Sequence, residues 1–290
     1  MLNKMVLGAL GAGMTASALA LGGCSSSSLS ASSAYKQCLD GSRVRKNVPC
    51  PAPAPTPTPT PTPSPTPTPS TAFGADVLSE GDSISEFYGG DHTGIYAAAH
   101  PTVVFKGNAV GGAVLGSPGD ASTVNSLYAR QAADLAVHPK VLTVLIGAND
   151  VGAITQNYYK YLTVQSYADA LFAYLAPFRA AGTKVAVGTV LPQCISGNPA
   201  VGYNGDPESG LNLLANTNRA ALNDIIRAAV GTKIDAVYDF AADPVMGPDA
   251  AACDTTLYKD GLHPTDSTLD SGQRKIELIY APVADALLAR

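Results

Sequence analysis

Residues 72–90 read AFGADVLSEGDSISEFYGG, and the interpretation of the whole chain begins with this stretch. Its first part, Ala75–Ser79, has the apolar composition of a short buried strand, and the chain then turns at Gly81-Asp82-Ser83. Such a turn is a common structural element, but this one also places a hydroxyl group directly beyond a strand. The sequence that follows decides between a simple turn and a reactive serine.

Further apolar segments follow at intervals and are separated by helical patterns. The predicted strands are Ala75–Ser79, Thr102–Lys106, Val141–Ile146, Lys184–Val190 and Ile234–Phe240. Short runs rich in Val and Ile are typical of parallel strands that are buried on both faces. Because strands that alternate with helices form a sheet covered on both sides, the sequence predicts an α/β fold. We expect a three-layer α/β/α sandwich with a five-stranded parallel sheet over residues 73–290.

Three helices are predicted from apolar residues at helical spacing. The first begins at Ser166-Tyr167-Ala168-Asp169, which resembles a capping sequence, and ends at Gly182. The other two are marked by apolar side chains on one face: Leu211, Leu214, Leu222, Ile225 and Ala229 in one, and Ile276, Ile279, Val283 and Leu287 in the other. Asn218 interrupts the first of these two faces, and Pro282 lies within the last helix.

The first 72 residues have the composition of an export signal and a tether. Lys4 precedes an apolar stretch, and Leu21-Gly22-Gly23-Cys24 resembles the lipobox of bacterial lipoproteins. We therefore predict a signal peptide over residues 1–23 and lipidation of Cys24. Residues 24–72 form a Ser/Pro/Thr-rich tether, disordered or extended, whose segment PAPAPTPTPTPTPSPTPTPS would span about 60 Å as polyproline II at roughly 3.1 Å per residue. The predicted location is the bacterial cell envelope, at the outer membrane or cell surface.

Cysteine count and net charge limit the possible partners. With Cys24 lipidated, four cysteines remain in an oxidising compartment, and we expect the disulfides Cys38–Cys50 and Cys194–Cys253. The formal net charge of −5 gives no electrostatic reason to expect a nucleic-acid partner. The composition favours a small or neutral substrate and a membrane contact through the lipid anchor alone.

Polar or glycine-rich motifs follow four of the predicted strands. They are Gly81-Asp82-Ser83, Gly107 to Gly112, Gly147-Ala148-Asn149-Asp150 and, after a longer loop, Asp260-Gly261-Leu262-His263. In a parallel sheet the ligand crevice lies beyond the carboxyl ends of the strands. Acyl transfer needs a nucleophile, a base, an anion that orients the base, and donors for the oxyanion. Ser83, His263 and Asp260 supply the first three, while the N–H groups of Ser83 and Gly112 and the amide of Asn149 are candidate donors.

This ordered set of motifs resembles the SGNH (GDSL-type) hydrolase superfamily, and the resemblance covers residues 73–290. It implies a flavodoxin-like sheet and assigns the nucleophile to Ser83. It assigns the oxyanion hole to Ser83, Gly112 and Asn149, and the remaining triad members to Asp260 and His263. The spacing around Asn108 leaves Gly111 open as an alternative to Gly112.

The predicted function is that of a monomeric serine esterase that hydrolyses carboxylic esters. The preferred substrate is a short-chain or acetyl ester on a surface or extracellular carbohydrate. Alternatives are a lipolytic esterase or thioesterase, and a catalytically inactive surface-anchored binding module. A metal site would use Asp82, Asn149, Asp150 and His263, but these loops offer a single histidine, so no metal or cofactor is predicted. Asp82 and Asp150 are expected to order their own loops through hydrogen bonds to backbone N–H groups.

Overall fold

The structure is a computed structural model. In it the chain forms two compact units, Met1–Thr68 and Pro69–Arg290. The described residues are 35–38, 43–45, 47–49, 72–86, 90–118, 125–152, 154, 163–197, 203–266 and 270–289. The first unit contains an antiparallel pair of strands, β1 (Tyr35–Gln37) and β2 (Arg43–Arg45), which the sequence patterns did not predict. The predicted signal peptide, Cys24, Cys50 and the proline repeat lie outside the described residues, so these predictions and the predicted domain boundaries stay predictions.

The second unit contains the predicted five-stranded parallel sheet. Its strands are β3 (Ala75–Gly81), β4 (Phe105–Gly107), β5 (Pro139–Leu145), β6 (Lys184–Gly188) and β7 (Ala236–Tyr238), in the spatial order β4-β3-β5-β6-β7. The α/β class and the parallel sheet are confirmed. The two edge strands are shorter than predicted: β4 begins three residues after Thr102, because the N–H of Val103 turns back to the carbonyl of His100. Strand β7 ends before a 3-10 helix at Phe240–Ala242.

Among the residues that the structure describes, five helices cover the sheet. They are α1 (His92–Ala99), α2 (Leu127–Val137), α3 (Val164–Ala180), α4 (Gly210–Ala228) and α5 (Gly272–Leu288). Helix α3 begins before the predicted Ser166, because the cap is Thr163: its Oγ1 accepts the N–H of Ser166 at 3.0 Å, and the N–H of Thr163 donates to Ser166 Oγ at 3.2 Å. None of the helices in the described residues is long and apolar enough to cross a membrane.

Alternate residues of β3, β5, β6 and β7 pack into two separate cores, one on each face of the sheet. Leu78 of β3 lies in the core formed with α2, α3 and α4, whereas its neighbour Val77 lies in the core formed with α1 and α5. This alternation follows from the two-residue repeat of a strand. Tyr167, Leu171, Tyr174 and Phe178 of α3 fill much of the first core, and Tyr96 and Tyr280 are buried in the second.

The buried face of α4 is more polar than its apolar residues predict. Leu211 and Leu214 are only partly buried, whereas Asn212, Asn216, Asn218, Arg219 and Asn223 are buried. Asn218, which interrupts the predicted apolar face, donates from Nδ2 to the carbonyl of Val151 at 2.7 Å. The helix is therefore attached to the rest of the fold through side-chain amides as well as through Ala215, Leu222 and Ile226, which lie in the core.

Candidate active site

The strand order places a crevice at the carboxyl ends of β3 and β5. The chain leaves β3 through α1 on one face of the sheet and reaches β5 through α2 on the other face. At such a switch point the two connections separate and leave space for a ligand. Ser83 follows β3 and Asn149 follows β5, so both lie at this switch point.

The turn after β3 holds Ser83 between two buried neighbours. Asp82 Oδ1 accepts the N–H of Ile84 at 3.0 Å, and the carbonyl of Asp82 accepts the N–H of Ser85 at the same distance. Asp82 and Ile84 are buried, while Ser83 is half-buried. The turn is therefore fixed from inside the protein and presents the serine hydroxyl at the crevice.

Ser83, His263 and Asp260 are hydrogen-bonded in series. Ser83 Oγ lies 2.7 Å from His263 Nε2, and His263 Nδ1 lies 2.7 Å from Asp260 Oδ2. With the proton on Nδ1, the ring donates to the carboxylate and its Nε2 accepts from the hydroxyl. The structure thus brings together three side chains from two loops that are about 180 residues apart.

The second oxygen of Asp260 fixes the loop that carries the histidine. Asp260 Oδ1 accepts the N–H groups of Leu262 at 3.1 Å and of His263 at 2.8 Å. Burial raises the pKa of Asp260, but the hydrogen bonds and positive charge of His263 outweigh this effect and hold that pKa below its usual range. Asp260 is therefore an ionised partner for the ring at neutral pH.

The candidate oxyanion donors lie on three segments. Among the described residues, the N–H groups of Ser83 and Gly112 have no hydrogen-bond acceptor, and Asn149 uses one amide hydrogen to donate to the carbonyl of Ala113 at 2.9 Å. Gly112 has a φ of +70°, and a Cβ on it would point into open space. A Cβ on Gly111 would instead approach Glu86 Oε2 to 2.6 Å. Of the two glycines, Gly112 thus has the left-handed backbone and the open side.

Two buried carboxyl groups lie beside these motifs without joining the serine and histidine. Burial raises the pKa of Asp82 to about 6, although the N–H of Ile84 and the charge of His263 lower it. Burial also raises the pKa of Asp150 to about 8, and the nearby Asp82 adds to this increase. Tyr167 donates its hydroxyl to Asp150 Oδ2 at 3.3 Å. Asp82 thus orders its own turn as predicted, whereas the contacts of Asp150 are with the N–H of Leu115 and the hydroxyl of Tyr167, both outside its loop.

A polar cavity of about 210 Å³ opens beside Ser83 and His263. Its other lining residues are Glu86, Gly90, Asp91, Lys259, Pro264, Asp266 and Gln273. Glu86 and Lys259 were not predicted as site residues. Their positions, three residues after Ser83 and four before His263, are the signal that could have identified them.

The predicted disulfide between Cys194 and Cys253 is present, with a Cα–Cα distance of 5.2 Å. The N–H of Cys194 donates to the carbonyl of Gly261 at 2.7 Å, and a Cβ on Gly261 would lie 2.2 Å from the carbonyl oxygen of Cys194. Gly261 is therefore needed for this close approach. The disulfide adjoins the loop that carries Asp260 and His263.

An α/β/α sandwich with a serine, a histidine and a carboxylate hydrogen-bonded in series at its strand ends has the architecture of a serine hydrolase. Residues 81–268 match the model of the GDSL-like Lipase/Acylhydrolase family, and the chain belongs to that family of carboxylic ester hydrolases. This result confirms the resemblance inferred from the four motifs.

Solved structures of similar fold support this classification at the level of architecture. A candidate acylhydrolase from Bacteroides fragilis is 22% identical, with a TM-score of 0.51 over 73% of this chain and 87% of that one. A carbohydrate acetylesterase from Sinorhizobium meliloti is 18% identical, with a TM-score of 0.50 over 73% and 98% of the two chains. The acetyl xylan esterase AlAXEase is 19% identical, with a TM-score of 0.50 over 71% and 98%. A search of curated protein sequences found no significant match.

Proposed function

We propose that this protein hydrolyses carboxylic esters with Ser83 as nucleophile, His263 as general base and Asp260 as the residue that orients the base. The proposal rests above all on the unbroken line of hydrogen bonds from Ser83 Oγ through the His263 ring to Asp260, with both distances at 2.7 Å. Hydrolysis by such a triad needs no metal or redox cofactor.

The reaction proceeds through an acyl-enzyme. His263 Nε2 removes the hydroxyl proton while Ser83 Oγ attacks the carbonyl carbon, and the resulting oxyanion accepts hydrogen bonds from Ser83 N–H, Gly112 N–H and the Asn149 amide. The protonated ring then donates its proton to the departing alcohol as the C–O bond breaks. Water, deprotonated by the same ring, attacks the acyl-serine, the bond between the acyl carbon and Ser83 Oγ breaks, and the ring returns its proton to Ser83 Oγ as the carboxylic acid leaves.

The proposed substrate is a short-chain or acetyl ester of a surface or extracellular carbohydrate. The cavity beside Ser83 is small and lined mainly by polar and charged side chains, which suits a short acyl group attached to a hydroxylated alcohol. Two of the proteins of similar fold carry names that describe esterases of acetylated carbohydrates. A long acyl chain would need a larger apolar surface than this lining offers.

A chain-length series tests both the reaction and the substrate. Purified protein is assayed with p-nitrophenyl esters from acetate to palmitate, with Ser83→Ala as the control. We expect the acetate to give the highest kcat/KM and Ser83→Ala to lower kcat by several orders of magnitude. A preference for long chains would favour the lipolytic alternative. Equal rates for the protein and Ser83→Ala would reject the proposed nucleophile, and absence of hydrolysis would favour a binding module.

We also propose that Cys24 is lipidated and that the protein is held at the bacterial cell envelope. The support is the sequence of residues 1–24, which has a positive start, an apolar stretch and small residues before the cysteine. Cells grown with an alkyne-labelled fatty acid should label the protein but not Cys24→Ser. Equal labelling of the two would reject this assignment.

A further inference from the structure

Three asparagines of α4 hold the segment that follows β6. Each side-chain amide accepts the N–H and donates to the C=O of a single residue, so the pairs are Asn223 with Val190, Asn216 with Gln193, and Asn212 with Ile195. All six distances lie between 2.7 and 3.0 Å. These amides supply the backbone partners that a neighbouring strand would supply in the sheet. The segment is thereby fixed at three of its residues, although it has left the sheet.

The middle residue of this segment contacts the loop that carries Asn149. Gln193 is 1% exposed, and its Nε2 donates to the carbonyl of Ala148 at 2.5 Å. That carbonyl belongs to the peptide group that joins Ala148 to Asn149, so its direction sets the plane from which the Asn149 side chain departs. Asn218, also on α4, holds the other end of the same loop through Val151. One helix therefore fixes the loop on both sides of Asn149.

We propose that Gln193 is a positioning residue for the oxyanion hole, and that Asn216 and α4 hold Gln193 in place for this purpose. Gln193 acts through Ala148 on Asn149 and does not itself touch the substrate. The inference depends on the proposed function, because it assigns Gln193 to the support of a group whose catalytic role is part of that function. A buried amide that fixes the peptide beside a donor limits the donor to one orientation, which is what transition-state stabilisation requires.

A double-mutant cycle with Asn149 tests this coupling. Gln193→Met keeps the length of the side chain and removes the donor. In the parent protein we expect it to lower kcat for p-nitrophenyl acetate by roughly 10-fold, in the range seen when residues that orient active-site groups are removed, with KM changed less than about two-fold. In the Asn149→Ala background the same change should lower kcat by less than about two-fold, because the group that Gln193 positions is absent. Asn216→Ala removes both bonds to the Gln193 backbone, together with the bonds to the Pro207 carbonyl and the Arg219 guanidinium, and should repeat the pattern.

The matched control is Thr183→Val. Thr183 also donates a buried side-chain hydrogen bond to a backbone carbonyl, that of Pro139 at 2.7 Å, but it does so at the amino end of the sheet. This variant should lose stability while keeping kcat. If Gln193→Met lowers kcat by equal factors in both backgrounds, or leaves kcat unchanged, the positioning role is rejected.

A second measurement separates this proposal from the proposed function. In ¹⁵N-labelled Ser83→Ala protein, Gln193→Met should shift or broaden the side-chain amide signals of Asn149, whereas Thr183→Val should leave them unchanged. If Asn149→Ala keeps full kcat while the signals respond, the oxyanion assignment fails and the structural link stands. If the signals do not respond, the link itself is wrong.

Discussion

At the scale of single residues, the proposed role of Asp260 is to determine which nitrogen of His263 carries the proton. An asparagine at this position fills the same space but offers an NH₂ group as well as an oxygen, so it can hold the ring in the wrong tautomer. We expect Asp260→Asn to lower kcat by about 10³ to 10⁴ with little change in KM. The control is Asp254→Asn, at an exposed aspartate six residues before Asp260, and this variant should keep its activity. A loss below 10-fold in Asp260→Asn would contradict the proposed role.

Glu86 gives a second prediction at this scale. Its carboxylate lines the cavity beside Ser83 and forms no ion pair with any residue that the structure describes. A unit charge a few ångströms from a substrate charge in a wet site is worth on the order of 1 kcal/mol. Glu86→Gln should therefore lower kcat/KM for the cationic ester acetylcholine about five-fold and leave neutral phenyl acetate unchanged. Glu208→Gln, at an exposed glutamate, should change neither substrate, and equal losses for both substrates in Glu86→Gln would contradict the charge effect.

At the scale of elements, the disulfide and the loop that carries His263 form one structural unit. Cys194 binds the backbone of Gly261 and is linked to Cys253 across 59 residues of chain. Removing a crosslink of this length should cost about 2 to 4 kcal/mol of unfolding free energy. We expect Cys194→Ser with Cys253→Ser to lower the melting temperature and reduce kcat, because Asp260 and His263 are less well held.

Reductant supplies the control for this prediction. Dithiothreitol should lower the activity of the native protein and leave the activity of the double-serine variant unchanged, since that variant has already lost the bond in question. If reductant inactivates both proteins equally, the effect comes from another disulfide. If the double-serine variant has native activity, the loop is held adequately by its hydrogen bonds alone.

A comparison of the predicted and observed elements shows which features of the fold the sequence patterns predicted. Apolar runs predicted the central strands β3, β5 and β6, because a strand buried on both faces has one composition throughout. They overextended the edge strands β4 and β7, where a turn and a 3-10 helix replace the strand, and also β6, which ends two residues before the predicted Val190. The motifs predicted Ser83, His263 and Asp260 as neighbours, and the structure places them within hydrogen-bonding distance, although only Ser83 directly follows a strand and the other two follow β7 after a longer loop. Gln193 and the asparagines of α4 were missed, since their partners are distant backbone atoms that leave no local pattern.

At the scale of the whole molecule, acidic groups are concentrated inside the carboxyl end of the sheet. Besides Asp82 and Asp150, Glu80 is fully buried and paired with Arg130, and Asn108 donates to both Glu80 and Asp134. Burial, with the nearby charge of Glu80, raises the pKa of Asp134 to about 8. Three carboxyl groups thus have pKa values above those of exposed aspartates. The architecture that forms the crevice therefore also makes the stability of the fold sensitive to pH.

The sign of this sensitivity follows from the pKa of Asp150. Its folded value of about 8 exceeds the usual 3.8, so the folded protein binds this proton more tightly than the unfolded chain does. The resulting stabilisation is fully present below pH 4 and is lost as the pH rises towards 8, with a slope of up to about 1.4 kcal/mol per pH unit.

Asp150→Asn removes this contribution. Both proteins are unfolded in urea at pH 5, 6, 7 and 8. The unfolding free energy of the variant should increase relative to that of the native protein as the pH increases. For the control Asp169→Asn, at an exposed aspartate of α3, the plot of unfolding free energy against pH should run parallel to that of the native protein. Parallel curves for Asp150→Asn would mean that Asp150 is already ionised in the folded state, and the electrostatic description of this end of the sheet would be wrong.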